Sequence, residues 1–78
     1  MEAPLHEPEG MDQLTAHLDR GWDLVAERDW ARVRISSGAV LALEPDHPEG
    51  LTLLGLAELN GGDPEAALEA FEAARESD

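Results

Sequence analysis

Histidines and carboxylates are the side chains of this chain that could perform acid–base or metal chemistry. The three histidines, His6, His17 and His47, are far apart in sequence, and none has a second metal ligand one helical turn away on its own predicted helix. Cysteine is absent, and there is no glycine-rich phosphate loop and no locally supported serine–histidine–acid arrangement. The sequence therefore predicts no catalytic residue, no metal site, no cofactor and no enzymatic activity. We expect His17 to be a half-buried packing residue and His47 to cap a helix.

The charge of the chain is strongly one-sided. Its 78 residues include 18 acidic residues, five arginines and no lysine, which gives a formal net charge of −13. Such a surface repels phosphate backbones and anionic lipids, so we expect neither nucleic acid nor a membrane as a partner. A basic protein segment would be attracted instead. The alternative is that the charge only keeps a small helical protein soluble.

Targeting segments are also not evident in the sequence. No apolar run approaches the roughly 20 residues of a membrane span. The N-terminus lacks the basic region and apolar core of a signal peptide. We therefore expect a cytoplasmic protein, whose stability must come from helix packing because it has no cysteine for disulfides.

Apolar periodicity and capping residues predict an all-α chain of four antiparallel helices behind a flexible tail. Asp29 and Asp63 are expected to cap the second and fourth helices by accepting hydrogen bonds from free amides. Pro45 should end the second helix, since the residue before a proline avoids the helical region, and Asp46 or His47 should cap the third. The tail covers residues 1–10, and the helices cover residues 12–27, 30–43, 48–60 and 64–76.

Two kinds of position are informative inside these helices. Gly21 and Gly55 lie in mid-helix and would each cost about 1 kcal/mol relative to alanine, so we expect another helix to cross closely at each. Ser36-Ser37-Gly38 weakens the second helix, where a bend or local fraying is expected. The apolar sides of the second and fourth helices are expected to contain Val33, Ile35, Val40, Leu41 and Leu43, and Ala67, Leu68, Phe71 and Ala74.

The chain contains an internal period. Gly21 is separated from Gly55 by the same number of positions as Asp29 is from Asp63. This separation, which we call the repeat interval, is about 34 residues and indicates stacked helix–turn–helix units. The predicted units are residues 11–44 and 45–78.

With these features the chain resembles the tetratricopeptide repeat family over residues 14–78. In the second unit, Leu54 and Gly55 stand at the family's leucine–glycine pair, and Gly62 and Asp63 stand at its turn. The family's small, aromatic and small positions in the following helix are occupied by Ala67, Phe71 and Ala74.

The first unit matches the family less closely. The positions that fit are Gly21, Asp29, Trp30 and Pro45. The positions that depart are Val33 and Val40, where the family prefers small residues, and Ser37, where it prefers an aromatic residue. His17 and Leu51 stand where the family has a tryptophan near the start of each repeat.

The resemblance implies two stacked hairpins with a right-handed superhelical turn and a concave groove lined by the first helix of each unit. It implies a mainly apolar groove, with Asp19, Asp23 and Glu49 at its rim. A clamp for a peptide carboxylate is disfavoured, because the chain has no lysine and one asparagine. The implied groove positions are Thr15, Leu18, Trp22, Val25, Ala26, Glu49, Thr52, Leu56, Leu59 and Asn60. Whether Trp22 lies in the groove or in the core stays open at this point.

The end of the second unit is ambiguous in sequence. Leu41 and Leu43 of the first unit have Arg75 and Ser77 as counterparts, which is typical of a polar capping element. Asp78, however, stands just before the position of the family's closing proline, which is also what a piece cut from a longer repeat protein would show. We expect an apolar patch, covered by a second copy in a homodimer or by another partner. Its candidate residues are Leu53, Leu68 and Phe71.

Together these observations favour a protein–protein interaction module, either an adaptor or part of a scaffold. The expected partner is an apolar or basic peptide or helix bound in the groove. Two alternatives remain: a small acidic chaperone that shields an apolar segment of a client protein, and a homo-oligomerisation unit.

Overall fold

Four α-helices make up the part of the chain that the structure describes. This structure is a computed structural model that describes the backbone of residues 9–77 and the side chains of residues 13–77. The helices are α1 (Glu9–Ala26), α2 (Trp30–Leu43), α3 (Pro48–Asn60) and α4 (Pro64–Ser77). No strand is present between residues 9 and 77. The predicted all-α chain of four helices is confirmed.

The start of α1 differs from the expected one. It begins at Glu9 instead of residue 12, and so includes Glu9 and Gly10 of the predicted tail. Toward the N-terminus, Pro8 is the first residue that disfavours helix continuation. The sequence therefore permits the helix to begin as early as Glu9. The remainder of the predicted tail, residues 1–8, lies outside the described residues.

The turn between α1 and α2 is held by three local hydrogen bonds. The amide of Asp29 donates to the carbonyl of Leu24 at 3.0 Å, and the amide of Arg28 donates to Val25 at 2.9 Å. This pair of bonds is a Schellman motif, which satisfies carbonyls that a helix C-terminus leaves free. Asp29 Oδ1 then accepts a hydrogen bond from the amide of Arg32 at 3.3 Å and caps α2.

The turn between α3 and α4 repeats this arrangement one repeat interval later. The amide of Asp63 donates to Glu58 at 2.8 Å, and the amide of Gly62 donates to Leu59 at 3.3 Å. Asp63 Oδ1 accepts from the amide of Ala66 at 3.1 Å and caps α4. One aspartate in each turn therefore closes one helix through its amide and opens the next through its carboxylate.

The turn between α2 and α3 has a different construction. The amide of His47 donates to the carbonyl of Glu44 at 3.0 Å. The Nδ1 atom of His47 accepts from the amide of Gly50 at 3.3 Å, so His47 is the cap of α3. Pro48 is the first residue of α3, where its missing amide hydrogen costs nothing.

Each helix packs against its neighbours in sequence. α1 contacts α2, α2 contacts α3, α3 contacts α4, and α1 also contacts α3. Within the described residues α4 contacts neither α1 nor α2. A closed four-helix bundle would bring its first and last helices together, so these helices form an open stack of two hairpins.

The hydrophobic core lies between the two hairpins. It contains Leu24 of α1, Val33 of α2, and Leu53 and Ala57 of α3, all nearly inaccessible to solvent. The expectation that Leu53 belongs to an exposed apolar patch is therefore wrong. Half-buried side chains that pack against this cluster are Leu18, Val25 and Trp30. Because α3 supplies two of the four central residues and touches all three other helices, it is the central element of the fold.

The close approaches predicted at the mid-helix glycines are confirmed. A Cβ atom on Gly21 would lie 2.7 Å from Cδ1 of Leu53, and one on Gly55 would overlap the ring of Phe71. The first contact joins α1 to α3, and the second joins α3 to α4. A third glycine, Gly50, lies equally close to Val40 of α2.

The expected apolar sides of α2 and α4 need correction. Ile35 and Leu43 are 70% and 41% exposed, and Leu68 on α4 is 57% exposed. The buried stripe of α2 contains two serines, Ser36 and Ser37, which fall between Val33 and Val40 at helical spacing. On α4, Ala67 and Ala70 are buried.

The serines also explain why the expected fraying of α2 is not observed. The helix continues without interruption through residues 36–38. Ser37 Oγ donates to the backbone carbonyl of Arg34 at 2.9 Å, so a side chain with no solvent exposure still has a hydrogen-bond partner. The buried hydroxyl is thus accommodated inside its own helix.

None of the helices in residues 9–77 is both long enough and apolar enough to cross a lipid bilayer.

Candidate interaction surface

The residues expected to line a groove lie on α1 and α3, the first helix of each hairpin. These two helices meet where Gly21 faces Leu53. Trp22 follows Gly21 and Thr52 precedes Leu53 in sequence, so these two residues flank the contact. We call this region the α1–α3 surface. It consists of Thr15, Leu18, Trp22, Val25 and Ala26 on α1, and Glu49, Thr52, Leu56, Leu59 and Asn60 on α3.

The α1 part of this surface centres on Trp22. Its side chain is 38% exposed and lies outside the core cluster, whereas the other tryptophan, Trp30, packs against that cluster. Leu18 and Val25 are half-buried and also contact the core, so only part of each side chain is accessible to solvent. Among the α1 side chains that the structure describes, Trp22 is therefore the large apolar one that is exposed to an incoming molecule.

The α3 part of the surface centres on Leu59. This side chain is 50% exposed, and Leu56, one turn earlier, is half-buried. Across the repeat interval, Leu56 is the counterpart of Trp22, and Leu59 is the counterpart of Val25. The two helices thus carry apolar side chains at equivalent positions next to one seam.

Two polar members of the α1–α3 surface donate hydrogen bonds within their own helix. Thr52 Oγ1 donates to the carbonyl of Pro48 at 2.9 Å, and Asn60 Nδ2 donates to the carbonyl of Leu56 at 2.8 Å. Thr52 is half-buried, and Glu49 and Asn60 are exposed. These two donors are therefore already used inside α3.

Exposed carboxylates alternate in sequence with the apolar residues of this surface. Asp19, Asp23 and Glu49 are all exposed, and Arg20 is the one arginine of α1. An apolar strip bordered by carboxylates attracts a segment that has both apolar and basic side chains, and repels phosphate groups.

A feature that the sequence reasoning missed joins the two hairpins. The guanidinium of Arg34 on α2 forms two hydrogen bonds with the carboxylate of Glu58 on α3, at 2.7 and 2.8 Å. The Glu58 side chain is 13% exposed and that of Arg34 is 52% exposed. These residues are 24 positions apart, so no local pattern indicates the pair.

Two open hollows border α4. One, of about 230 Å³, is lined by Leu68, Phe71, Glu72 and Arg75. The other, of about 420 Å³, lies where the turn after α2 meets the end of α4. Its lining residues are Asp46, Ala73, Glu76 and Ser77.

The histidines do not form a site among the described residues. His17 is half-buried on α1 and His47 caps α3, while His6 lies outside the described range. Between residues 9 and 77 no three histidine, aspartate or glutamate side chains come together as metal ligands.

Comparison of the chain with protein-family models, with curated proteins and with solved structures finds no match.

Proposed function

We propose that the chain is a protein–protein interaction module whose α1–α3 surface binds a basic amphipathic helix. The observation that carries this proposal is the exposure of Trp22 at 38% and Leu59 at 50% beside one helix seam. Tryptophan is among the residue types most enriched in binding hot spots, because it buries a large area at little conformational cost. An exposed tryptophan on α1 and an exposed leucine on α3, the two helices that meet at Gly21, have a clear use in binding.

The chemistry of the partner follows from what surrounds these two side chains. The net charge of −13 and the exposed carboxylates of Asp19, Asp23 and Glu49 favour a basic partner. The apolar strip favours a segment whose hydrophobic side chains recur once per helical turn. Neither nucleic acid nor an anionic membrane fits this charge.

A tetratricopeptide-like arrangement is part of the same proposal. It is supported by the Schellman and capping hydrogen bonds around Asp29, which recur around Asp63 one repeat interval later. It is also supported by the contact of α1 with α3, the first helices of the two hairpins. In such an arrangement the α1–α3 surface would be the concave side, and successive hairpins would turn in a right-handed superhelix.

The proposal is tested with a synthetic amphipathic helical peptide that has one leucine face and one lysine face. The Trp30→Phe variant leaves Trp22 as the only tryptophan, so its fluorescence reports directly on the proposed site. We expect saturable binding that weakens as salt is added, and no binding of a peptide in which glutamate replaces every lysine.

Matched variants separate this surface from general charge attraction. Trp22→Ala and Leu59→Ala should each weaken binding about tenfold, whereas Ile35→Ala, which removes a 70% exposed side chain from α2, should leave it unchanged. Labelled peptide and fluorescence anisotropy give the affinities without relying on Trp22. Equal effects of all three substitutions would refute the proposed surface.

A further inference from the structure

The outer side of α4 corresponds, across the repeat interval, to the side of α2 that carries α3. Arg34 and Leu41 of α2 have Leu68 and Arg75 as counterparts, and Ser37 has Phe71. The hollow of about 230 Å³ on α4 is lined by these three counterparts together with Glu72. In α2 these positions face a helix, whereas in α4 they border open space.

The way in which α2 holds α3 is specific. Near the start of α2, Arg34 forms its two hydrogen bonds with Glu58, near the end of α3. Near the end of α2, Leu41 lies against Gly50, at the start of α3: a Cβ on Gly50 would be 3.0 Å from Leu41 Cδ2. The two helices therefore run antiparallel, with the ionic contact at one end and the apolar contact at the other.

On α4 the chemistry of the two ends is exchanged. Leu68, which is 57% exposed, takes the place of the cation Arg34, and Arg75, also exposed, takes the place of the apolar Leu41. The half-buried ring of Phe71 lies between them in sequence. A helix that docks here as α3 docks on α2 needs an apolar side chain where α3 has Glu58. It also needs a carboxylate where α3 has Gly50.

We propose that the hollow on α4 docks one helix of a partner protein, antiparallel to α4, with a carboxylate in its first turn over Arg75 and an apolar side chain over Leu68. The exposed carboxylates of α4 favour basic residues elsewhere on that helix. A second copy of this chain is the less favourable occupant, because each copy has a net charge of −13. The surface is separate from the α1–α3 surface and does not depend on it.

The test uses two peptides built on residues 46–61, which contain the helix that occupies the equivalent place on α2. Both peptides carry Glu49→Lys and Asn60→Lys to make them more basic. The parent peptide is otherwise unchanged, and the exchanged peptide also carries Gly50→Glu and Glu58→Leu. We expect the intact chain to bind the exchanged peptide about tenfold more tightly than the parent peptide in fluorescence anisotropy.

Variants of the chain then test the two ends separately. Arg75→Glu should weaken binding of the exchanged peptide at least several-fold and have little effect on the parent peptide. The double variant Leu68→Arg with Arg75→Leu reproduces the chemistry of α2 and should reverse the preference toward the parent peptide. Both residues are exposed, and circular dichroism verifies that the variants keep their helices. Ile35→Ala, which removes an exposed side chain from neither proposed surface, should leave binding of the exchanged peptide unchanged. The preference for the exchanged peptide should also be present when both peptides are measured with the Trp22→Ala variant.

Several results would overturn the proposal. Equal binding of the two peptides, no binding of either, or a preference that survives Arg75→Glu would each do so. Sedimentation of the intact chain alone should show a monomer. Self-association that disappears in Leu68→Arg would identify a second copy as the occupant and would also contradict it. Because the preference between the two peptides is also measured with the Trp22→Ala variant, failure of this proposal is distinguishable from failure of the α1–α3 proposal.

Discussion

Gly21 on α1 lies directly against the side chain of Leu53 on α3, so that a Cβ atom at residue 21 would approach Leu53 Cδ1 to 2.7 Å. Leu53 has no exposed surface and belongs to the core cluster, so displacing it would disturb the packing of that cluster. This contact joins the first helices of the two hairpins. The absence of a side chain at residue 21 is therefore what allows the hairpins to approach each other this closely.

Gly21→Ala is expected to destabilise the protein. Alanine improves helix propensity by about 1 kcal/mol, but crowding a packed core costs about 1–3 kcal/mol, so the free energy of unfolding should fall by about 1 kcal/mol. Urea denaturation followed by circular dichroism measures the change. The matched control is Gly38→Ala on α2, where an added Cβ would meet nothing within 4 Å and the propensity gain of about 1 kcal/mol should appear in full. Equal stabilisation by both substitutions would contradict the close contact.

Arg28→Gly is expected to stabilise the protein. Arg28 has a φ of 60°, and Gly62, its counterpart in the second hairpin, has a φ of 95°. The left-handed region costs a residue with a side chain about 1–2 kcal/mol, and glycine avoids this cost. Glycine also has more conformational freedom in the unfolded chain, which offsets part of the stabilisation. We expect a net increase in the free energy of unfolding of about 0.5–1 kcal/mol.

Two controls accompany this measurement. Arg28→Ala keeps the side-chain penalty and should give no comparable gain, and Gly62→Ala should lose about 1 kcal/mol. The same urea experiment measures all three variants. If Arg28→Gly destabilises the chain, the left-handed turn at this position is not the native one.

The ion pair between Arg34 and Glu58 is expected to contribute more than an ordinary surface pair. Its two parallel hydrogen bonds fix the geometry, and Glu58 is only 13% exposed, although solvent still screens Arg34. A double-mutant cycle with Arg34→Ala and Glu58→Ala should give a coupling energy of about 1 kcal/mol, which decreases at high salt. Arg34→Lys should lose part of it, since an ammonium group cannot form the paired contact.

The control for this pair lies on the same helix. Arg32 is 3.6 Å from Asp29, and its side chain is 65% exposed. Removing it with Arg32→Ala should change the free energy of unfolding by no more than about 0.5 kcal/mol. A coupling energy for Arg34 and Glu58 no larger than this would show that the bidentate contact is not maintained in solution.

Local chemistry explains how much of the fold could be predicted. Asp29, Asp63 and Pro48 act within one turn of their own position, so spacing in the sequence was enough to place the starts of α2, α3 and α4, whereas the start of α1 was misplaced. Gly21 and Gly55 could be assigned to close contacts because glycine in mid-helix is costly without one. The partner at each glycine, Leu53 in one case and Phe71 in the other, required the tertiary structure.

The features that the sequence did not predict depend on interactions that the hydrophobicity of a residue does not indicate. Ile35 was expected inside because it is apolar, but the buried stripe of α2 is set by the spacing of Val33 and Val40, and Ser37 satisfies its hydroxyl on its own backbone. The link from Arg34 to Glu58 spans 24 positions and has no local signal. For the candidate surface, the sequence resemblance supplied the positions, but it could not decide the exposure of Trp22.

The most direct test of the proposed function observes both tryptophans at once. In a ¹H–¹⁵N NMR titration with the leucine–lysine peptide, the indole N–H signals of Trp22 and Trp30 report on the α1–α3 surface and on the core edge respectively, with Trp30→Phe assigning them. We predict that the Trp22 signal shifts progressively to saturation, together with the backbone amides around Leu56 and Leu59, while the Trp30 signal stays in place. A titration in which the Trp22 signal does not move, or in which both indole signals move equally, would contradict binding at the α1–α3 surface.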